Sequence, residues 1–172
     1  MALKQAGDSH FRPDPMRIRR GTVQDAETVA ALQVAIHDSH VQSRPDVFKP
    51  LAMTDELIDF TAERLSNPDC VVFIGEVSNR AIGHALVMLV RRPENVFTYE
   101  QVYALVDQIG IEPAYRGLGY GELLMRRVVD FAQEQRIPQV RLSVWTFNEG
   151  AIDFYERLGF RIHMHQMELL LG

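Results

Sequence analysis

The first part of the chain carries apolar residues at the spacing of amphipathic helices. Between Val29 and Ile36 they recur at intervals of three and four residues, which predicts a helix over 25–40. A second helix is predicted to begin at Thr54, whose hydroxyl suits an N-cap, and to end near Asn67, which precedes a proline. Each amphipathic helix has an apolar face that must pack against another part of the fold.

Strand-like patterns elsewhere in the chain predict a sheet on which these helices can pack. Residues 16–20 predict a short first strand. The β-branched runs Cys70–Val77 and Ala81–Arg91 are joined by the turn-forming stretch Ser78–Arg80, so they predict a β-hairpin. The long apolar run Tyr99–Ile111 is richer in β-branched residues than a helix favours, and we assign it to a further strand.

Helices and strands alternate in the second half. The pattern predicts a helix over 119–135, a strand over Val140–Trp145 and a helix over 148–158 that ends at the C-cap residue Gly159. One or two closing strands are predicted within Phe160–Leu170. The order β-α-α-β-β-β-α-β-α-β predicts an α/β fold with one mixed β-sheet and helices on both faces.

Composition adds limits on organisation and partners. The 172 residues suit one domain, predicted over 16–172, after a flexible arm over the polar, proline-containing residues 1–15. Eighteen basic and 23 acidic residues give a net charge of −5, which disfavours nucleic acid and anionic membranes as partners. Neither a membrane span nor a secretory signal is visible, so we expect a cytoplasmic protein. The single cysteine, Cys70, excludes an intramolecular disulfide.

A glycine-rich turn is the main chemical motif. Arg116, Gly119 and Gly121 lie between a predicted strand and a predicted helix. Glycines permit a close approach of ligand to backbone, and the first N–H groups of a helix attract phosphate. The turn matches neither the G-x-G-x-x-G pattern of dinucleotide sites nor the P-loop, which disfavours NAD and ATP. A plain tight turn remains the alternative.

Two longer segments decide between these interpretations. The segment Val106–Leu124 contains the glycine turn, and the segment Asn148–Phe160 reads N-x-x-A-x-x-F-Y-x-x-x-G-F. Both closely resemble motifs of the GNAT superfamily of N-acetyltransferases, in the same order, and the resemblance extends over about 16–170. It implies a GNAT-like central sheet with helices on both faces, whose strands splay apart at an acetyl-CoA site.

The resemblance also implies which residues bind acetyl-CoA. Backbone groups of the strand would bond to the pantetheine arm, amides of the glycine turn would enclose the pyrophosphate, and an asparagine and a tyrosine of the second motif would complete the site. On this chain the residues are Ile109, Gly110, Ile111, Arg116, Gly117, Leu118, Gly119, Tyr120, Gly121, Glu122, Asn148 and Tyr155. For Asn148, a helix N-cap is an additional role.

The implied reaction is transfer of an acetyl group to a primary amine by direct attack in a ternary complex. Tyr155 is the candidate acid for the departing thiolate and Asp107 the candidate base for the amine. Strand alternation predicts that Asp107 faces the same side as Ile109 and Ile111. A water chain as base, and a structural role for Asp107 in holding a loop or helix end, remain alternatives.

The acceptor is less defined. The first two helices of this family flank the acceptor site, and His37, His40 and Tyr103 are the candidate contacts; a solvated helix face is the alternative for the histidines. No third ligand accompanies His37 and His40, so we predict no metal. The acceptor is either a small cationic amine or a peptide or protein amine, and fold alone does not choose between them.

Two further possibilities remain open at this stage. His163 and His165 alternate on the predicted last strand, a pattern compatible with a structural role or with the seam of a homodimer. The alternative function is a non-catalytic acyl-CoA-binding regulator that has kept the cofactor site but performs no transfer.

Overall fold

A β-hairpin forms the centre of the sheet. The computed structural model describes residues 13–171. Strands β2 (Cys70–Val77) and β3 (Arg80–Arg92) are joined by two residues, Ser78 and Asn79, with φ angles of 49° and 64°. Positive φ at both turn positions matches the twist of the flanking strands, so the predicted hairpin is confirmed.

The sheet has five strands in the order β1-β2-β3-β4-β5. Strand β1 (Arg17–Arg20) lies antiparallel to β2, and β4 (Gln101–Ile111) lies antiparallel to β3. Strand β5 (Val140–Leu142) is parallel to β4. The sheet is therefore mixed, as the order of elements predicted.

Within residues 13–171, four α-helices cover the sheet. They are α1 (Ala26–Ser43), α2 (Asp55–Ser66), α3 (Tyr120–Glu134) and α4 (Glu149–Arg157). Short 3₁₀ turns over Val23–Asp25 and Pro113–Tyr115 precede α1 and α3. All four helices lie within three residues of their predicted limits, and none in the described part of the chain has the length and apolarity to cross a bilayer.

Alternate residues of β2 face two separate apolar layers. Val71 and Phe73 lie in a core formed with α3, whereas Val72 and Ile74 lie in a second core with Val29 of α1. Since successive side chains of a strand point to opposite faces, α1 and α3 must cover opposite sides of the sheet. The prediction of helices on both faces is confirmed.

A β-bulge interrupts β4. Leu86 pairs with Gln108 and the next residue, Val87, pairs with Val106, so Asp107 has no partner. The bulge places the side chains of Asp107 and Gln108 both on the α1–α2 side, where Asp107 meets Arg64 and Gln108 meets Gln33. Ile109 and Ile111 face the α3 side. The expectation that Asp107 shares their face is therefore wrong, because an extra residue breaks the alternation.

The last part of the chain differs most from its prediction. Strand β5 has three residues instead of six, because its ladder with β4 stops at the pair Val106–Leu142. The closing strands predicted within Phe160–Leu170 do not form. Of the predicted N-terminal arm, residues 1–12 lie outside the described residues, and the Asp14 carbonyl accepts a hydrogen bond from the Tyr120 hydroxyl at 2.8 Å.

Candidate active site

The site begins where β4 and β5 separate. Strand β5 pairs with β4 only at Ala104–Val106, so the rest of β4 has no strand on that side. The Glu112 N–H donates to the Ile82 carbonyl of β3 at 2.8 Å. Backbone direction alternates along an antiparallel strand, so the N–H and C=O groups of Ile109 and Ile111 point to the open side. They lie where a ligand could extend the sheet.

Gly110 has another position. It pairs with His84 of β3, and a Cβ on it would lie 2.5 Å from Cδ1 of Ile36. Its lack of a side chain lets α1 approach β4. Of the three strand residues predicted to bind the cofactor, the structure thus brings Ile109 and Ile111 to the open edge and turns Gly110 toward β3.

The glycine turn continues this edge. Gly117 and Gly119 have φ angles of 76° and 85°, and a Cβ on either would meet no atom within 4 Å. Gly119 is the N-cap residue of α3, so the N–H groups of Tyr120 and Glu122 in its first turn have no partner within the helix. Positive φ, open space and free amides together are the features that suit the binding of an anion.

Side chains brace this turn. The Arg116 Nε donates to the Ile111 carbonyl at 3.0 Å, which ties the two ends of the turn together and leaves the terminal nitrogens of the guanidinium for an anion. Leu118 packs against the apolar core, the Tyr120 ring is buried, and Glu122 pairs with Arg126 one turn along α3. Among these turn residues, Arg116 alone has a cationic side chain with free donors beside the turn, and the others offer backbone groups.

Gly121 lies at the contact between two helices. A Cβ there would lie 3.6 Å from the Phe154 ring of α4, an ordinary contact distance. This contact places the segment Asn148–Phe160 beside the glycine turn.

Tyr155 follows Phe154 on α4. Its half-buried ring makes edge contacts with Phe154 and Phe160, at 5.2 and 5.7 Å between centroids, and it packs on the same core as Ile109. Burial raises the pKa of the Tyr155 hydroxyl, so it stays protonated at neutral pH. Within residues 13–171 the Tyr155 hydroxyl makes no hydrogen bond and is not among the buried polar atoms without a partner, so it is available as a donor.

Asn148 is the N-cap of α4. Its Oδ1 accepts the Ala151 N–H at 3.2 Å, which leaves the two amide hydrogens of its side chain unused by the helix. The capping role is observed, and the geometry permits a second role as a donor.

Asp107 is an ion-pair partner rather than a buried carboxylate. Its side chain is 37% exposed and pairs with the Arg64 guanidinium of α2, which also lies 5.7 Å from the Phe60 ring centroid. Asp107 and Tyr155 consequently lie on opposite faces of the sheet, one on each side of the opening between β4 and β5.

Aromatic side chains from three segments meet on the α1–α2 side. We call them the aromatic wall: His37 and His40 of α1, Phe48 of the α1–α2 connection, and Trp145 and Phe147 after β5. Phe48 lies 5.7 and 5.1 Å from the two histidine rings and 5.4 Å from Trp145. The wall adjoins the point where β5 ends.

Polar contacts fix this wall. The His37 Nε2–H donates to the Lys49 carbonyl at 3.0 Å, and Arg44 lies 5.2 Å over the Trp145 ring while it pairs with Asp46. Burial, and then the charge of His37, lower the pKa of His40, which is neutral at pH 7.

In the structure His37 and His40 contact Phe48. The sequence did not identify Phe48 as a site residue. Its position in a proline-flanked loop was the available signal. Tyr103 is elsewhere: its ring is buried, with the guanidinium groups of Arg141 and Arg92 at 4.1 and 5.9 Å. It has no ring contact with the wall among residues 13–171.

Comparison with known proteins gives matches to this arrangement. The chain is 30% identical over 99 residues to glucosamine 6-phosphate N-acetyltransferase of Trypanosoma brucei brucei, a match that covers 57% of this chain and 63% of the relative. Other matched curated relatives are covered over smaller shares, down to 25% of their length. The chain therefore spans less than two thirds of these relatives.

Solved structures match over nearly the whole chain. A variant of the BH1408 protein of Bacillus halodurans superposes with a TM-score of 0.82 at 25% identity, covering 90% of this chain and 99% of the other. The aminoglycoside N-acetyltransferase AAC(6')-Iy in complex with CoA gives a TM-score of 0.69 at 18% identity, covering 93% and 97%, and shows the shared fold. The family model described as "Acetyltransferase (GNAT) family" matches residues 34–160, and the chain belongs to this family.

Proposed function

We propose that this protein is an acetyl-CoA-dependent N-acetyltransferase whose acceptor is a primary amine. The observation that carries the proposal is the separation of β4 and β5 directly beside the glycine turn. An open strand edge at Ile109 and Ile111 leads to the free amides at Gly117–Glu122. A long ligand with a peptide-like arm and a pyrophosphate fits this combination.

The residues at this opening divide the binding among themselves. Ile109 and Ile111 offer backbone groups to the pantetheine amides, while the turn amides and the Arg116 guanidinium hold the pyrophosphate. When bound, acetyl-CoA supplies an activated acyl group. The Ile109 N–H points to the open edge and suits the stabilisation of negative charge on a carbonyl oxygen.

Two side chains on opposite faces suit the two proton movements. An amine with a pKa near 10 is mostly protonated at neutral pH and must lose a proton before it attacks. We assign this proton to Asp107, directly or through water, since Asp107 lies on the side of α1 and α2. The Tyr155 hydroxyl lies on the α3 side and protonates the leaving thiolate.

The aromatic wall is the proposed acceptor surface. Its rings lie on the same face as Asp107, at the end of β5, and aromatic faces attract ammonium groups. Arg44, over the Trp145 ring, pairs with both Asp46 and Glu168, so this group carries one more negative than positive charge. These features favour a small cationic amine, and a peptide amine is the second acceptor to be tested.

Binding of the cofactor is the first experiment. We expect acetyl-CoA to raise the melting temperature, whereas NAD and ATP leave it unchanged. Replacement Arg116→Gln removes a charged donor from the turn and is expected to weaken acetyl-CoA binding roughly tenfold. Arg126→Gln removes the same charge from an exposed residue of α3 whose partner is Glu122, and it is the matched control.

Turnover is the second experiment. Release of free CoA would be measured across a panel of polyamines, aminoglycosides and peptides with free N-termini. Release with any of these amines supports the transferase. Binding of acetyl-CoA without release from any amine would instead favour the non-catalytic regulator, and equal shifts with NAD, ATP and acetyl-CoA would refute the cofactor assignment.

A further inference from the structure

The α1–α2 side of the sheet holds a group of buried polar side chains that the proposed reaction does not use. Thr61 of α2, Gln33 of α1 and His84 of β3 are buried, and Gln108 of β4 is half-buried beside them. We call these four residues the polar network. Polar groups are costly to bury unless they are hydrogen-bonded, so a set drawn from four elements points to a role beyond filling space.

Hydrogen bonds connect the four side chains in series. The Thr61 hydroxyl donates to Gln33 Oε1 at 3.0 Å and shares this hydrogen with the Leu57 carbonyl at 2.8 Å. Gln33 Nε2 donates to Gln108 Oε1 at 2.8 Å, and the His84 Nε2–H donates to the same oxygen at 3.3 Å. The Gln108 side chain is therefore held from α1 and from β3 at once.

Gln108 borders the β-bulge of β4. Val106 faces the core on the α3 side, whereas Gln108 faces α1, although residues two apart on a regular strand face the same side. Two neighbours anchored on opposite faces require one extra residue between them, and that residue is Asp107. If Gln108 lost its anchor, regular alternation could return and Asp107 would no longer be directed to α2.

A second link joins α2 to the same bulge. The Arg64 guanidinium pairs with Asp107, and Arg64 lies one helical turn after Thr61 on the same face of α2. A base loses its charge when it accepts a proton, so this ion pair weakens during the proposed reaction. Burial lowers the pKa of His84 to about 4, so every member of the polar network is neutral at pH 7 and its bonds persist throughout.

We propose that Gln108 is a positioning residue for the proton transfer from the acceptor amine. Through the polar network it holds the bulge of β4 in the arrangement that directs the Asp107 carboxylate to the α1–α2 side, where the proposed acceptor surface lies. This inference rests on the proposed function, because Asp107 is the base assigned there.

A kinetic double-mutant cycle tests the positioning. Gln108→Met keeps the length of the side chain and removes its hydrogen bonds, so kcat/KM for an accepted amine is expected to fall roughly tenfold, mainly through kcat. In an Asp107→Asn background the same change is expected to cost less than about twofold, because the carboxylate that it positions is already absent. Equal losses in the two backgrounds would show a purely structural role and would overturn the proposal.

Two further variants control this cycle. Gln101→Met removes the same amide from the same strand, at a residue whose partner is Arg141 and not the bulge, and it should leave kcat/KM within about twofold of the wild type. Gln33→Met breaks the polar network one residue further from Asp107. It replaces Gln108→Met if thermal melting shows that Gln108→Met does not fold, and a loss of roughly threefold or more, again absent with Asp107→Asn, is expected. Wild-type turnover in a folded variant would contradict the proposal.

A measurement without an acceptor separates this proposal from the proposed function. The ¹³C resonance of the Asp107 carboxyl group, assigned by comparison with Asp107→Asn, reports the surroundings of that group. We expect Gln108→Met and Gln33→Met to shift it and Gln101→Met to leave it in place. If no amine is acetylated, the proposed function fails, and this resonance still decides whether Gln108 sets the orientation of Asp107. An unmoved resonance in both folded network variants would overturn the proposal.

Discussion

The two ends of this sheet are built differently. Within the described residues, every buried side chain lies between Ala26 and Ala132, and from Gln133 onward none is buried. The first region is an antiparallel arrangement of β1–β4 with α1–α3 on its two faces. The second comprises β5, α4 and residues 161–171, which we call the C-terminal arm, and its β5 and α4 contribute half-buried residues to the same core.

The difference follows from how the backbone N–H and C=O groups of each region are paired. Strands β2, β3 and β4 pair over eight or more residues and exclude water from both faces. Strand β5 pairs over three residues, so β4 continues unpaired beyond Val106 on one side, and the other side of β5 is a free edge. The first region satisfies the edges of β2 and β3 within the sheet, whereas the second leaves strand edges unpaired. The proposed cofactor site lies where the two regions meet, between β4 and β5.

The largest effect on stability is expected from truncating a side chain in the core of the first region. Leu124 is fully buried, and Leu124→Ala is expected to lower the free energy of unfolding by about 2–5 kcal/mol because it leaves a cavity. The same change at Leu170, which is 81% exposed, is expected to cost less than about 0.5 kcal/mol in the monomer. Urea denaturation of both variants measures this. Equal losses would mean that the arm packs as tightly as the core.

The next prediction uses the buried His84 of the first region. Its Nε2–H donates to Gln108 Oε1 at 3.3 Å, and burial lowers the pKa of His84 to about 4. In the unfolded chain its pKa is near 6.5, so the unfolded state binds more protons and stability is lost as pH falls from about 6.5 to about 4. The loss attributable to His84 is about 3 kcal/mol.

Urea denaturation at several pH values checks this linkage. His84→Gln is expected to flatten the dependence between pH 6.5 and 4, while His163→Gln in the exposed arm leaves it as in the wild type. Part of the slope remains in every variant, since the lowered pKa of His40 acts in the same direction. An unchanged slope in His84→Gln would show that another group controls acid stability.

The same contrast explains how far the sequence could predict the fold. Ser78 and Asn79 form a turn whose chemistry is local, and the helices carry their own caps and periodicity, so these elements were predictable. The bulge at Asp107 was not, because it depends on the register between β3 and β4. Nor was the absence of closing strands: the arm has strand-like composition, but a strand needs a neighbour.

The site divides in the same way. The glycine turn and the motif that contains Tyr155 are each one continuous stretch of sequence. Each could therefore be matched to a motif of a known family. Phe48 joins the aromatic wall only through the packing of α1 against the segment after β5, and Gly110 is required by its contact with Ile36. Such contacts are tertiary, so no local pattern encodes them.

Tyr155 tests whether the second region is catalytic. Tyr155→Phe keeps the ring contacts with Phe154 and Phe160 and removes the hydroxyl oxygen, so we expect kcat to fall roughly tenfold to a hundredfold while acetyl-CoA affinity and melting temperature change little. Steady-state kinetics with an accepted amine measures the effect. If the chemical step is rate-limiting and turnover stays within twofold of the wild type, the Tyr155 hydroxyl is not the acid and the ring serves only in packing.

The smallest effect we predict separates capping from binding at Asn148. Its Oδ1 caps α4, and only its amide hydrogens remain for a ligand. Asn148→Asp keeps the acceptor that caps the helix and removes the donor, so melting temperature should hold while acetyl-CoA affinity falls severalfold. Asn148→Ala loses both functions and should also cost about 1 kcal/mol of stability. If calorimetry finds wild-type affinity in Asn148→Asp, Asn148 only caps the helix, and the cofactor is held from the β4 side of the opening.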